Sequence, residues 1–256
     1  MISIQEVSKS FGSMLAIDSV SFDLAENSFV SLVGPSGCGK STLLRMVAGL
    51  FQPSSGAIIV RGEKVTRPLK DVGVVFQSPA LLPWRSTLEN ILFVAEMGGL
   101  RAAAHRKRAA ELMELAGLTG FEHNYPHELS GGMQQRVSIC RAMLLSPSLI
   151  LMDEPFGALD VITRERMGFA LQTLWDESRN TVLFVTHSIS EAVLLSDTVI
   201  VMSSRPGKVC DIVPVDLPRP RRSETLRDPK FLELSARVHD GIESLNTDDI
   251  ESLNME

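Results

Sequence analysis

Nine residues constrain this chain more than any others: Gly34-Pro35-Ser36-Gly37-Cys38-Gly39-Lys40-Ser41-Thr42. They match G-x-x-x-x-G-K-[ST] and stand between an apolar strand, Ser28–Val33, and a helix, Ser41–Gly49. That helix carries Leu43, Leu44, Val47 and Leu50 on one face. The glycines let the backbone curl so that successive N–H groups point inward at the positive end of the helix, which suits an anion. Lys40 can reach the outer phosphates of a nucleoside triphosphate, and Ser41 can place its hydroxyl on Mg²⁺. A glycine-rich turn with no ligand is the bland alternative, and the flanking strand and helix weigh against it.

The rest of the pattern alternates strand and helix. Met1–Val7, Ser19–Leu24, Ala57–Arg61 and Asp71–Phe76 read as strands. Ser86–Leu145 is rich in Ala, Leu, Glu and Arg and reads as mostly helical, an insert of residues 87–147. Strands then return at Leu149–Met152, Thr181–Thr186, Thr198–Met202 and Lys208–Val213, with helices at Val161–Ser178 and Ile189–Leu195. Such alternation argues for an α/β fold with a mainly parallel sheet. Prolines 214, 218 and 220 mark the end of the core, which gives a main domain of 1–220 and a tail of 221–256. In the tail, Asp228-Pro229 reads as a helix start, and Phe231, Leu234, Val238 and Ile242 recur at helical spacing. A docked helix with a charged outer face is expected there.

Charge locates a function class by exclusion. The chain carries a net charge of −6, and Ser223–Glu256 alone holds nine acids against three bases. The main body is therefore neutral, and a non-specific nucleic-acid binder needs a basic face. No apolar stretch approaches the roughly 20 residues of a membrane helix. Met1–Gly12 shows no charged region followed by an apolar run, so no signal peptide is expected. Three widely spaced cysteines, Cys38, Cys140 and Cys210, fit a reducing compartment and no metal site. These point to a cytoplasmic protein.

Two further runs carry chemistry. Leu149–Met152 leads into Asp153-Glu154, two carboxylates at the end of a buried strand, the edge where open α/β sheets place ligands. Asp153 suits Mg²⁺, and Glu154 can orient and polarise an attacking water. Two solvated acids at a strand end are also common. Leu129-Ser130-Gly131-Gly132-Met133-Gln134-Gln135-Arg136 opens a second helix, with Ser130 as N-cap and two glycines exposing its first N–H groups. Alone, that run reads sooner as an ordinary capped helix than as an anion site.

Taken together the motifs resemble those of the ATP-binding cassette family over about Ser3 to Leu217. Gly34–Thr42 resembles its Walker A motif, Leu149–Glu154 its Walker B, and Leu129–Arg136 its signature, with Met133 where Gln is commoner. Gln77 falls at the Q-loop position, Ala158-Leu159-Asp160 at the D-loop and His187 at the switch histidine. Phe11 takes the place of an adenine-stacking aromatic that is usually Tyr. The resemblance implies a P-loop NTPase core with an N-terminal antiparallel β subdomain and an inserted α-helical subdomain. It implies two copies packed head to tail around two ATP molecules. One chain would contribute Phe11, the phosphate loop and Gln77; the other would contribute Ser130, Gly131, Gly132, Met133 and Asp160. Mg²⁺ would lie on Ser41, Gln77 and Asp153. Glu154 would act on water and His187 on the γ-phosphate.

With no spanning segment, a transport role requires separate permease subunits, and Leu82 and Trp84, just after Gln77, suit a contact with them. The runs Leu82–Asn90, Met202–Gly207 and Val215–Pro220 are similar to ATPases of nitrate, sulfonate, taurine, bicarbonate and pyrimidine-precursor uptake. This resemblance implies two membrane permeases, an indirect solute-binding protein and a peripheral place on the cytoplasmic face of the membrane. Other readings are a soluble cassette ATPase acting on a macromolecule, a P-loop kinase or GTPase, and a non-hydrolysing regulatory subunit. Thr42–Leu129 lacks sustained heptads, and one phosphate loop is present, which argues against the DNA and translation types. A kinase or GTPase would leave the signature run, Gln77 and His187 unexplained, and intact Glu154 and His187 argue against a silent subunit.

Overall fold

The computed structural model describes residues 2–253, with side chains through Glu243, so the end of the expected acidic tail lies outside the described residues. The strands in chain order are β1 (Ile2–Phe11), β2 (Met14–Leu24), β3 (Phe29–Val33), β4 (Ser55–Val60), β5 (Glu63–Lys64), β6 (Val72–Val75), β7 (Leu149–Asp153), β8 (Thr181–Val185), β9 (Thr198–Met202) and β10 (Val209–Pro214). The helices are α1 (Lys40–Val47), α2 (Thr87–Met97), α3 (Arg106–Leu115), α4 (Gly131–Met143), α5 (Val161–Ser178), α6 (Ile189–Leu195) and α7 (Pro229–Leu253). The chain forms two compact units, one of residues up to Lys70 joined by those from Thr181 onward, the other of Asp71–Asn180.

In the first unit, β1 lies between β2 and β4, antiparallel to both, with Ile4 opposite Phe22 and Ile58. β3 lies between β8 and β9 and is parallel to both, while β10 runs antiparallel along β9. All five residues of β3 are buried, as are those of β8. A strand flanked on both faces needs such continuous apolar character, which is why Phe29-Val30-Ser31-Leu32-Val33 shows no alternation. Phe231, Leu234 and Val238 of α7 are buried, and Gly241 lies against Val201 of β9. The tail helix is therefore docked by the apolar stripe read from its spacing.

Where the tail leaves the core, Arg221 is 2 % exposed. Its guanidinium donates to the carbonyls of Val193, Leu194 and Ser196 at 2.9, 3.0 and 2.8 Å, and to those of Val215 and Leu217. The C-terminal carbonyls of α6 thus meet a cation, as the helix dipole favours.

In the second unit, β6 and β7 pair in parallel, Val74 opposite Leu151. Three helices, α2, α3 and α4, intervene between these strands. α2 opens with a capping box: Ser86 Oγ accepts from the Glu89 N–H, and the Glu89 carboxylate accepts from the Ser86 N–H at 2.8 Å. That hydrogen bond from the Ser86 backbone holds the Glu89 carboxyl below its ordinary value. Burial pushes the Cys140 thiol on α4 up to about 12. Trp175 of α5 is buried and donates to the Asn180 carbonyl at 2.7 Å.

Candidate functional site

In the first unit the phosphate loop runs from the end of β3 to the start of α1. Gly34 has φ 152, and a Cβ there would stand 2.5 Å from the Met202 carbonyl oxygen. Gly39, the N-cap of α1, has φ 98, and its Cβ would meet Ile17 Cγ1 at 2.6 Å. Only glycine fits either place, so the curl is imposed by close packing as well as by backbone freedom. Lys40 is 5 % exposed; its ammonium donates to the carbonyls of Gly34 and Pro35, both at 2.8 Å, and approaches Cys38 Sγ at 3.5 Å. The lysine thus folds back over its own loop and holds one positive charge beside inward-facing backbone.

Phe11 ends β1 and is 43 % exposed. Its ring meets Phe51 edge to face, with centroids 6.2 Å apart, and Lys9 Nζ lies 5.2 Å from its centroid. An exposed aromatic so braced is a platform on which a base can stack. His187 is exposed between the end of β8 and Ser188, the N-cap of α6. Ser188 Oγ accepts from the Glu191 N–H, while Thr186 Oγ1 donates to the Glu191 carboxylate at 2.6 Å. These bonds fix the backbone on both sides of the histidine. One cation beside the loop is new: the Arg205 guanidinium lies 3.5 Å from the Gly37 carbonyl and 3.1 Å from Met14 Sδ. Gly207, two residues further on, packs against the same loop, where a Cβ would clash with the Cys38 carbonyl.

In the second unit Asp153 is buried at the end of β7, and Glu154 follows in a left-handed backbone with φ 48. A non-glycine residue there costs on the order of 1 kcal/mol or more, a strain of the kind that functional positions hold. Gln77 Nε2 donates to Glu154 Oε2 at 3.3 Å, so the structure brings these two predicted residues together. Ser130 caps α4 by accepting from the Met133 N–H at 3.3 Å. A Cβ on Gly132 would come 2.8 Å from Leu159 Cδ2, which places the signature run against the D-loop. Asp160 caps α5 through the Thr163 N–H at 3.0 Å, and its bonds with Thr163 lower its carboxyl from the ordinary range.

Leu82 is half-buried and Trp84 is 71 % exposed. The buried amide of Asn90 organises their loop: Oδ1 accepts from the Leu82 N–H at 2.8 Å, and Nδ2 lies within 3.1 Å of the Leu82, Arg85 and Ser86 carbonyls. Among the described residues no helix is long and apolar enough to cross a membrane.

The model of the family described as ABC transporter matches residues 17–157, from within β2 to Gly157, just short of the D-loop. The chain belongs to the ABC transporter family. As an ABC ATPase it has the mixed α/β fold of P-loop NTPases. The aliphatic sulfonates import ATP-binding protein of Bacillus cereus is 44 % identical over 93 % of this chain and 94 % of its own length. The taurine import ATP-binding protein of Rhizobium johnstonii is 45 % identical over 93 % and 92 %. A dimeric bacterial ABC transporter cassette superposes with a TM-score of 0.77 at 33 % identity, covering 85 % of this ABC chain and all of the other. A dimeric post-hydrolysis cassette bound to ADP and Pi superposes with a TM-score of 0.76.

Proposed function

We propose that this chain is the ATP-hydrolysing subunit of an importer for a small solute of the sulfonate or taurine kind. In this reading it works as a head-to-tail homodimer with separate permease subunits at the cytoplasmic face of a membrane. The observation that carries the reading is likeness to sulfonate and taurine import subunits over more than nine-tenths of both chains. The alternative of a soluble cassette acting on a macromolecule gains no support from these relatives.

The residues divide the work. Phe11 stacks on the adenine, and the N–H groups of Gly34–Thr42 with Lys40 hold the phosphates. To do so Lys40 exchanges its contacts with the Gly34 and Pro35 carbonyls for phosphate oxygens, so binding reshapes the loop. Ser41, Gln77 and Asp153 offer a hydroxyl, an amide and a carboxylate, an all-oxygen donor set that suits Mg²⁺. Mg²⁺ held by them would supply positive charge against the phosphate oxygens. Glu154 takes a proton from water as its oxygen attacks the γ-phosphorus and the bond to the β-phosphate oxygen breaks, giving ADP and phosphate. Gln77, bonded to Glu154, orients that carboxylate. His187 donates to the γ-phosphate, and Ser130, Gly131, Gly132 and Met133 of a second copy close over the same group. Asp160 lies at that dimer contact, and Leu82 and Trp84 receive the permease.

Glu154→Gln tests the reading. Steady-state phosphate release is expected to fall by at least about 100-fold, the scale of general-base loss, while MgATP still drives dimerisation. Near-normal turnover, or a monomer at saturating MgATP, would overturn it.

A further inference from the structure

Helix α4 meets β6 and the segment after it at three places, all within one unit. Gly73 of β6 lies so close that a Cβ would stand 2.5 Å from the Ala142 carbonyl oxygen. The Gln135 side chain, 1 % exposed, donates to the Phe76 carbonyl at 3.0 Å. Arg141 donates from Nη2 to the Pro79 carbonyl at 2.8 Å and from Nη1 to the Ala80 carbonyl at 2.9 Å. Ala80 has φ 46, a region that residues with a Cβ avoid. The local chain direction is therefore set by something outside itself, and the fork of Arg141 is what meets it.

The ends of this assembly are the functional ones. Ser130 caps the start of α4, Gln77 lies between the carbonyls held by Gln135 and Arg141, and Trp84 follows Ala80 by four residues. Beyond Ala80, Asn90 fixes the loop from Leu82 to Ser86. We propose that Arg141 is a positioning residue that makes the signature run, Gln77 and the Trp84 loop move as one body. Nucleotide engaged at Gln77 or Ser130 is then felt at Trp84, the surface offered to the permease. Two adjacent carbonyls need a planar two-pronged donor, and a lysine ammonium cannot span them in the same way. The inference rests on the proposed nucleotide contacts of Gln77 and Ser130.

The test uses Trp84 as its own reporter. MgATP is titrated into the full chain carrying Glu154→Gln, and the same titration with Trp84→Phe added subtracts the signal of Trp175. Calorimetry gives nucleotide affinity separately, and urea unfolding checks that each variant is folded. The parent is expected to show a saturable change in Trp84 emission. With Arg141→Met that change falls by at least about 3-fold while affinity stays within about 2-fold, a coupling loss rather than a binding loss. Arg141→Lys falls in between and serves as the measured variant if Arg141→Met does not fold. A residue that merely fills space would lower the unfolding midpoint and leave the emission change intact. A full emission change in both variants overturns the proposal, as does a parent that binds MgATP with no change at Trp84. Absence of MgATP binding by the parent, seen in calorimetry, overturns the nucleotide reading itself and this proposal with it.

Discussion

Replacing Asn90 tests how the Trp84 loop is held. Asn90 is 0 % exposed, and its amide satisfies the Leu82 N–H and lies within bonding distance of three carbonyls. The Ser86 carbonyl also accepts from the Asn90 backbone N–H at 2.8 Å and the Leu82 carbonyl from the Arg85 N–H at 3.1 Å, so truncation strands chiefly the Leu82 N–H and the Arg85 carbonyl. At about 1 kcal/mol net for each bond, with water able to reach the loop from the exposed Pro83 side, Asn90→Ala should cost about 2 kcal/mol. Asn90→Asp is the sharper change. It keeps the acceptor for Leu82 but turns a second oxygen toward carbonyls, so the carboxyl takes up a proton and its folded pKa rises. A raised folded value means the variant is most stable below the unfolded value of about 3.9 and loses about 1.4 kcal/mol per pH unit up to the folded one. Urea unfolding followed by Trp175 emission, with the parent measured at each pH, reads both effects in the unit that contains Asn90. Asn90→Asp should be less stable than Asn90→Ala at pH 8, and the gap should close toward pH 4.5. An Asn90→Ala cost under about 0.5 kcal/mol, the scale of an ordinary surface change, would refute the reasoning. So would an Asn90→Asp penalty that is flat across that range.

Lys40→Ala should weaken nucleotide binding on the order of 100-fold through loss of charge-assisted bonds, measured with a fluorescent ATP analogue; unchanged affinity counts against the loop assignment. Cys38 and Cys140 are buried and Cys210 is exposed, so a maleimide should label one thiol rapidly in the folded chain and three after denaturation. A second fast thiol in the native protein would contradict the burial. Glu89 has a folded pKa held down by the Ser86 N–H, so its contribution is present above about 4.5 and is lost as pH falls through the lowered value. The stability gap between the parent and Glu89→Gln, read from paired urea curves, should narrow below that pH; a constant gap argues that the charge does nothing there.

What could be read from residues alone followed from local physics. The curl at Gly34–Thr42, the apolar strand before it and the stripe of α7 each declare themselves over a few neighbouring positions. β1 and β2 are longer than their alternation indicates, Ile2–Phe11 and Met14–Leu24, because Lys9 and Ser10 join the hairpin through backbone pairing without an apolar pattern. The two-residue β5 has no apolar signal in the sequence, because it pairs through Glu63 and Lys64, both exposed. Arg205 beside Gly37, Arg141 on Pro79 and Ala80, and Asn90 in its loop join positions 4 to 168 residues apart. A lone polar residue carries no sign of which distant carbonyl it meets. Gln77 and Asp153 were placed by motif, but the bond from Gln77 to Glu154 needed coordinates.

The buried guanidinium of Arg221 has a bearing on how the chain can be shortened. Trimming at the proline-rich stretch would withdraw the cation that closes the last turn of α6 and leave carbonyls at 193, 194 and 196 facing a void. That helix begins two residues after His187. A cut intended to remove only an appendage would therefore loosen the footing of a residue assigned to phosphate chemistry, and an inactive truncate would say nothing about what the acidic end does.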